Sequence, residues 1–86
     1  MEFKFDVAII GGLGHVGLPL GIVFADKLLR VLLLDINVDY AKQVKNGKMP
    51  FVEYGAEELL QKALSNKLLT ISSNYSDVEK ARNVIV

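Results

Sequence analysis

Residues 9–21, IIGGLGHVGLPLG, place five glycines in thirteen positions between two apolar runs. Gly12, Gly14 and Gly17 give the spacing G-x-G-x-x-G. Glycine loses more conformational freedom on folding than any other residue, so it is normally absent from strand and helix interiors. This density therefore indicates a segment whose backbone must turn tightly or be approached closely, without side chains in the way.

The flanking sequence indicates which kind of turn this is. Residues 3–10 (FKFDVAII) end in a continuous apolar run, typical of a strand buried on both faces. Residues 15–28 carry apolar side chains on nearly all sides and predict a helix. A second apolar run, residues 31–34, is followed at once by Asp35, about 20 residues beyond the loop. Strand, glycine loop, helix and this acidic residue together indicate a dinucleotide-binding unit.

Each of the three glycines has a predicted role. Gly12 allows the tight turn from strand to helix, Gly14 lets a pyrophosphate approach the backbone, and Gly17 lets the helix pack closely on the first strand. Free N–H groups at the helix start favour an anion. Asp35 would accept hydrogen bonds from the adenosine ribose, which favours NAD over NADP because a 2′-phosphate would face a carboxylate. The alternatives are a tight turn without a ligand, and an Asp35 that is solvated or caps the next helix.

Composition excludes several function classes. Ten acidic residues balance ten basic ones, so the net charge does not draw the chain to nucleic acid or an anionic membrane. The chain has no cysteine, which excludes disulfides, thiolate metal sites and a cysteine nucleophile within it and fits a cytoplasmic location. His15 has no partner at ligand spacing, so no metal site is predicted. The most apolar window contains Asp26, Lys27 and Arg30, so no membrane helix is predicted.

The rest of the chain continues the alternation of helices and strands. We predict a helix capped by Asn37 and stopped by Asn46-Gly47, a helix over residues 56–65, a strand over residues 68–71, a short helix from Ser76 to Ala81 with Glu79 completing a capping box, and a strand over residues 83–86. This alternation implies an α/β fold: a Rossmann-type parallel sheet of order 3-2-1-4 with helices on both faces.

The fourth strand affects how the whole chain is interpreted. Because only its start is present, we interpret residues 1–86 as an incomplete NAD(P)-binding Rossmann domain, truncated after the fourth strand, from a longer enzyme. Its unpaired backbone at the edge of the sheet predicts a homo-oligomer.

Three blocks of sequence go beyond these general patterns. They are GLGHVGLPL at residues 12–20, VLLLDIN at residues 31–37, and N-G-x-x-P-F-x-E-x-G-x-x-x-L-L from Asn46 onward. Together they resemble the N-terminus of the UDP-glucose/GDP-mannose dehydrogenases. The first block is most similar to the UDP-N-acetylmannosamine dehydrogenase branch, and most other Rossmann enzymes lack the third. The resemblance runs through all 86 residues.

The resemblance implies a nucleotide-sugar 6-dehydrogenase that oxidises the C6 primary alcohol of a UDP-sugar to a carboxylate with two NAD. It also implies that the catalytic residues lie beyond residue 86, so that this chain binds NAD but catalyses nothing. His15 and Val16 match positions whose backbone meets the pyrophosphate, and Asp35 matches the ribose acid. The predicted cofactor-binding residues are Gly12, Leu13, Gly14, His15, Val16, Gly17 and Asp35.

Some positions depart from the family pattern or invite a role that we do not assign. Relatives often have Arg or Lys where this chain has Tyr40, and a glycine where Leu28 or Leu29 precedes the second strand. Glu53 is interpreted as a charge at a helix N-terminus rather than as part of the site. A basic run is assigned to the solvated face of the second helix, with no ligand role: Lys42, Lys45 and Lys48.

Two other functions are compatible with the glycine loop. A Rossmann domain of another NAD-dependent dehydrogenase, of the 3-hydroxyacyl-CoA or 6-phosphogluconate type, would share the loop but not the third block. A non-catalytic NAD-sensing module would share the loop as well, but we would expect it to close its sheet.

Overall fold

A parallel sheet organises residues 2–86, which are the residues that the computed structural model describes. Its strands are β1 (Phe5–Ile10), β2 (Val31–Leu34), β3 (Leu69–Ser72) and β4 (Ala81–Ile85). The helices are α1 (Gly17–Asp26), α2 (Val38–Lys45), α3 (Ala56–Ser65) and a 3₁₀-helix, Tyr75–Lys80. All neighbouring strands are parallel and their order is β3-β2-β1-β4, which confirms the predicted fold class and strand order.

The two central strands, β1 and β2, are buried on both sides. Ala8 pairs with Leu32 and Ile9 pairs with Leu33, and none of these four side chains is more than 2% exposed. A strand covered on both faces needs a continuous apolar run rather than alternation. This requirement explains the continuous apolar runs at residues 7–10 of β1 and 31–34 of β2.

The two faces of the sheet are covered unequally. Ile22 of α1, Val44 of α2 and Leu60 of α3 belong to one buried cluster, so all three α-helices pack on the same face. On the opposite face, Val78 of the 3₁₀-helix packs against a second buried cluster, which contains Leu32. Right-handed crossovers give this result, because the chain adds β2 and β3 on one side of β1 and then returns to add β4 on the other. Within residues 2–86, no helix has the length and apolar character needed to cross a bilayer.

All three α-helices end in a Schellman motif, a turn that satisfies the last carbonyl groups. After α1, the N–H of Leu28 donates to the carbonyl of Ala25 and the N–H of Leu29 donates to that of Phe24, and equivalent bonds follow α2 and α3. The residues that take the left-handed conformation in the three turns are Leu28 (φ 69°), Gly47 (φ 77°) and Lys67 (φ 58°). Glycine adopts this conformation freely, whereas leucine and lysine are strained in it.

Replacing Leu28 with glycine should stabilise the fold by about 0.5 to 1 kcal/mol, because it relieves the left-handed strain. Leu28 is 75% exposed, so little buried apolar surface is lost. The measurement is the midpoint of thermal unfolding, which should rise by roughly 4 °C for a domain of this size. Lys27→Gly is the matched control. Lys27 has an ordinary φ of −89°, so glycine relieves no strain there and should lower the stability of the fold. Equal destabilisation by both substitutions would contradict the prediction.

The start of the last helix differs from the prediction. The predicted cap, Ser76, is wrong: Asn74 is the cap, and its side chain accepts from the N–H of Ser76 (3.1 Å). The Ser76 hydroxyl donates to the same oxygen (2.7 Å), so the capping box with Glu79 is wrong as well. An asparagine side chain bonds readily to the backbone two residues ahead, and here that turn starts the helix earlier. The result is a 3₁₀-helix over Tyr75–Lys80.

An ion pair joins β1 to the residue before β2 at the amino end of the sheet. The Arg30 guanidinium donates to Asp6 Oδ1 (2.9 Å) and to Asp6 Oδ2 (3.2 Å), and the backbone N–H of Arg30 also donates to Oδ2 (2.8 Å). These hydrogen bonds lower the pKa of Asp6 to about 2, and the guanidinium of Arg30 contributes more to the shift than its backbone N–H does. This pair therefore links β1 to the start of β2 at the amino end of the sheet, away from the glycine loop.

Candidate functional site

The glycine loop, residues 11–16, connects the end of β1 to the start of α1. Gly11 has a positive φ of 72°, and the N–H groups of Gly11 and Gly12 both donate to the carbonyl of Leu34 (2.8 and 3.0 Å). The residue whose left-handed conformation makes the turn is thus Gly11, and not Gly12 as we predicted. Because these residues form a turn, α1 begins at Gly17 instead of at His15.

Gly12 and Gly17 allow close approach of backbone to backbone. A Cβ on Gly12 would lie 2.8 Å from the Leu33 Cα and 2.9 Å from the carbonyl oxygen of Ile9. A Cβ on Gly17 would lie 2.6 Å from the carbonyl oxygen of Gly11 and 2.9 Å from the Gly12 Cα. Backbone atoms cannot rotate away as side-chain atoms can. The helix is therefore held against the end of β1, which is the packing role predicted for Gly17.

Gly14, by contrast, faces open space. A Cβ there would have one neighbour within 4 Å, the carbonyl oxygen of Gly11 at 3.5 Å. Gly14, His15 and Val16 line a cavity of about 350 Å³ at the carboxyl end of β1. The N-cap of α1, Val16, makes no side-chain hydrogen bond, and the first turn of this helix carries no acidic side chain. The partial positive charge of the helix N-terminus is left uncompensated beside the cavity, an arrangement that suits an anion.

Asp35 is bonded directly to the glycine loop. Its Oδ2 accepts from the N–H of Leu13 (3.0 Å), and its Oδ1 accepts from the N–H of Asn37 (3.0 Å). The cap of α2 is Asn37, whose side-chain oxygen accepts from the N–H of Tyr40 (3.0 Å), as predicted. Asp35 is therefore not the cap of the next helix. The fold brings the predicted acid and the predicted loop together in one site.

Asp35 also lines a second cavity, of about 180 Å³, between the carboxyl ends of β2 and β3. The lining combines apolar and cationic side chains: Ile36, Ala41, Ile71, Lys42 and Lys45. Both lysines are exposed, as predicted, but they also border the cavity, which we did not predict. Their spacing of three residues places them on one face of α2. This spacing, in the helix just after Asp35, is the sequence feature from which their position beside the cavity could have been predicted.

An aromatic stack connects the glycine loop to the segment between α2 and α3. The rings of His15 and Phe51 are nearly parallel, with centroids 4.1 Å apart and planes at 19°. Tyr40 of α2 is tilted against Phe51, with centroids 6.5 Å apart and planes at 52°. Helical and strand periodicity relate only residues close in sequence, so neither pattern predicts the contact between His15 and Phe51.

Glu53 lies in a wide, open depression of about 700 Å³ lined by residues 49–55, 57 and 58. Its side chain is exposed, and its carbonyl accepts from the N–H of Ala56 at the start of α3 (3.1 Å). This placement agrees with the interpretation of Glu53 as a charge at a helix N-terminus. Within the described residues, 2–86, no group of three His, Cys, Asp or Glu side chains comes together where it could hold a metal ion.

Comparison with known proteins identifies relatives of this arrangement. A model of the "UDP-glucose/GDP-mannose dehydrogenase family, NAD binding domain" matches residues 5–86. UDP-glucose 6-dehydrogenase TuaD of Bacillus subtilis (strain 168) is 32% identical over 79 residues, a match that covers 92% of this chain and 17% of TuaD. The chain thus spans about a sixth of the length of that relative.

Two solved structures are similar in both fold and sequence. The UDP-N-acetyl-mannosamine dehydrogenase Cap5O of Staphylococcus aureus matches with a TM-score of 0.75 and 33% identity, covering 80% of this chain and 16% of Cap5O. A ternary complex of GDP-mannose dehydrogenase from Pseudomonas aeruginosa matches with a TM-score of 0.86 and 25% identity, covering 94% of this chain and 19% of that one.

Proposed function

Because the chain belongs to the UDP-glucose/GDP-mannose dehydrogenase family, as its NAD-binding domain, we propose that it binds NAD for an enzyme that oxidises the C6 primary alcohol of a UDP-sugar to a carboxylate with two NAD. Residues 1–86 would be the N-terminal cofactor-binding part of that enzyme. The observation that supports the proposal is the bond from the Leu13 N–H to Asp35, which holds the carboxylate that we propose for the ribose beside the glycine loop.

The residues present fit NAD in two adjoining places. Gly14 leaves backbone open where a Cβ would meet almost nothing, and the N-terminus of α1 beside it favours a diphosphate. The backbone of His15 and Val16 completes the predicted diphosphate contact at the cavity that these residues line. The cavity beside Asp35 has apolar walls for an adenine ring and a carboxylate for the ribose hydroxyls.

NAD supplies the hydride acceptor for the oxidation, and the residues of this chain hold it in place. Asp35 accepts from the loop through Oδ2 and still has lone pairs on both oxygens for ribose hydroxyls. Lys42 and Lys45 add positive charge beside the cavity, which offsets part of the negative charge of the diphosphate and of Asp35. The chain therefore binds and orients the cofactor, while the sugar and the catalytic groups belong to other parts of the enzyme.

Titration of the 86-residue chain with NAD and with NADP, by calorimetry, tests this function. We expect NAD to bind and NADP to bind at least about 10-fold more weakly, because its 2′-phosphate would face the Asp35 carboxylate. The chain mixed with NAD and a UDP-sugar should form no NADH, because the resemblance implies that the catalytic residues lie beyond residue 86. Equal affinity for the two cofactors would contradict the role of Asp35. NADH formation would contradict the inactivity of the chain on its own.

A further inference from the structure

In the second half of the glycine loop, backbone hydrogen bonds hold Gly14 and Val16 but not His15. The carbonyls of Gly14 and Val16 accept from the N–H groups of Leu18 (3.0 Å) and Leu20 (3.2 Å), whereas His15 makes no backbone hydrogen bond within residues 2–86. Gly11, Gly12 and Gly14 give the loop a large conformational entropy when it is free. Its first half is held by Asp35, which accepts from the N–H of Leu13, and by the buried Leu13 side chain. Further along, His15 and Val16 are exposed, and they form the part of the loop that lines the larger of the two cavities at the site.

Phe51 supplies a contact to that second half. Its ring lies parallel to the His15 imidazole at 4.1 Å, and the same ring packs against the main buried cluster. The segment that carries Phe51 is itself anchored, because the Gln61 side chain of α3 donates to the carbonyl of Gly47 (3.1 Å). A chain of contacts thus runs from α3, through the segment between α2 and α3, to the glycine loop.

We propose that Phe51 is a positioning residue for NAD binding, which acts through His15 to hold the glycine loop in the conformation that receives the diphosphate. This inference rests on the proposed function. A loop that is ordered before its ligand arrives loses less conformational freedom on binding, so the ligand binds more tightly. Phe51 is not expected to touch the cofactor, because its ring packs against His15 and against the core.

The test compares two ligands of the 86-residue chain, NAD and adenosine, by NMR titration. An aromatic pair contributes about a 3- to 10-fold change in a binding constant beyond its buried area. Phe51→Ala should therefore weaken NAD by about 3- to 10-fold and leave adenosine unchanged, because adenosine uses the cavity at Asp35 and has no diphosphate. Phe51→Tyr, which keeps a ring over His15, should restore the NAD affinity.

Two controls separate positioning from a general loss of structure. Val52→Ala changes an 84% exposed neighbour of Phe51 and should leave both affinities unchanged. Phe51→Leu keeps an apolar contact with the core but removes the stack. It therefore tests the role of the stack in NAD binding if Phe51→Ala does not fold. In Phe51→Leu the His15 ring protons should lose the upfield shift that the Phe51 ring gives them, and NAD should weaken as in Phe51→Ala.

The outcomes distinguish this inference from the function on which it rests. A parallel loss of NAD and adenosine affinity would show that Phe51 is merely structural and would overturn the inference. So would a wild-type chain that binds NAD no more tightly than the leucine variant. A wild-type chain that does not bind NAD at all would overturn the proposed function, and the inference with it.

Discussion

Gly17→Ala should lower the free energy of unfolding by about 2 to 3 kcal/mol, because the added methyl group forces two backbone segments apart. Its Cβ would lie 2.6 Å from the carbonyl oxygen of Gly11 and 2.9 Å from the Gly12 Cα. A domain of this size has a stability of only about 4 to 13 kcal/mol, so the loss is a large share. In urea, the unfolding midpoint should fall by roughly 2 M.

Gly14→Ala is the matched control, since it adds the same methyl group three residues earlier in the same loop. Its Cβ would meet the carbonyl oxygen of Gly11 at an ordinary 3.5 Å, so the stability should change by less than about 0.5 kcal/mol. The methyl group would instead stand where the diphosphate approaches, and NAD affinity should fall at least about 10-fold. If Gly14→Ala destabilises the fold as much as Gly17→Ala, the division of roles between these glycines is wrong.

Asp35→Ala should weaken NAD by about 100-fold, the largest effect on binding that we expect from a single side chain. The substitution removes the acceptor for the Leu13 N–H and, at once, the acceptor that we propose for the ribose hydroxyls. Each hydrogen bond to a charged group is worth about 1.5 to 3 kcal/mol, and about 1.4 kcal/mol corresponds to a factor of ten. The ratio of NAD to NADP affinity should also fall toward one, because the 2′-phosphate no longer faces a carboxylate.

Two further variants identify the cause of that loss. Asp35→Asn keeps an acceptor oxygen but removes the charge, so it should weaken NAD by roughly 10-fold. Asp39→Ala removes the same charge from the first turn of α2 at an exposed position that does not line the cavity. It should leave the affinity for NAD nearly unchanged. Unaltered NAD binding in Asp35→Ala, measured by calorimetry, would refute the assignment.

The elements that depend on local patterns could be predicted from the sequence. β2, Val31–Leu34, is a short run of apolar residues with an acidic stop, and the structure gives it the predicted bounds. α3, Ala56–Ser65, also has the predicted bounds, because Leu60 and Ala63 repeat at helical spacing and are buried. The encounter of the glycine loop with Asp35 followed from the rule that parallel strands end at one edge of the sheet.

Two of the details that the sequence could not provide depend on atoms distant in the chain. The positive φ lies at Gly11 because Gly11 and Gly12 both donate to the carbonyl of Leu34, on the neighbouring strand. The stack of His15 on Phe51 joins two residues that are separated in sequence by α1, β2 and α2. The start of the 3₁₀-helix was missed for a different reason: two polar side chains, Asn74 and Ser76, could each cap it, and local spacing does not choose between them.

The pairing of β1 with β4 also determines when the fold can form during synthesis. Phe5 pairs with Ala81, and the Asn83 side chain donates to the carbonyl of Asp6 (3.0 Å), so β1 cannot pair on this side until β4 has been translated. Contacts between residues so far apart close large loops, and they slow folding compared with helical proteins of similar size. On the ribosome, one edge of β1 therefore stays open until β4 emerges, and that interval is when the nascent chain is most exposed to aggregation.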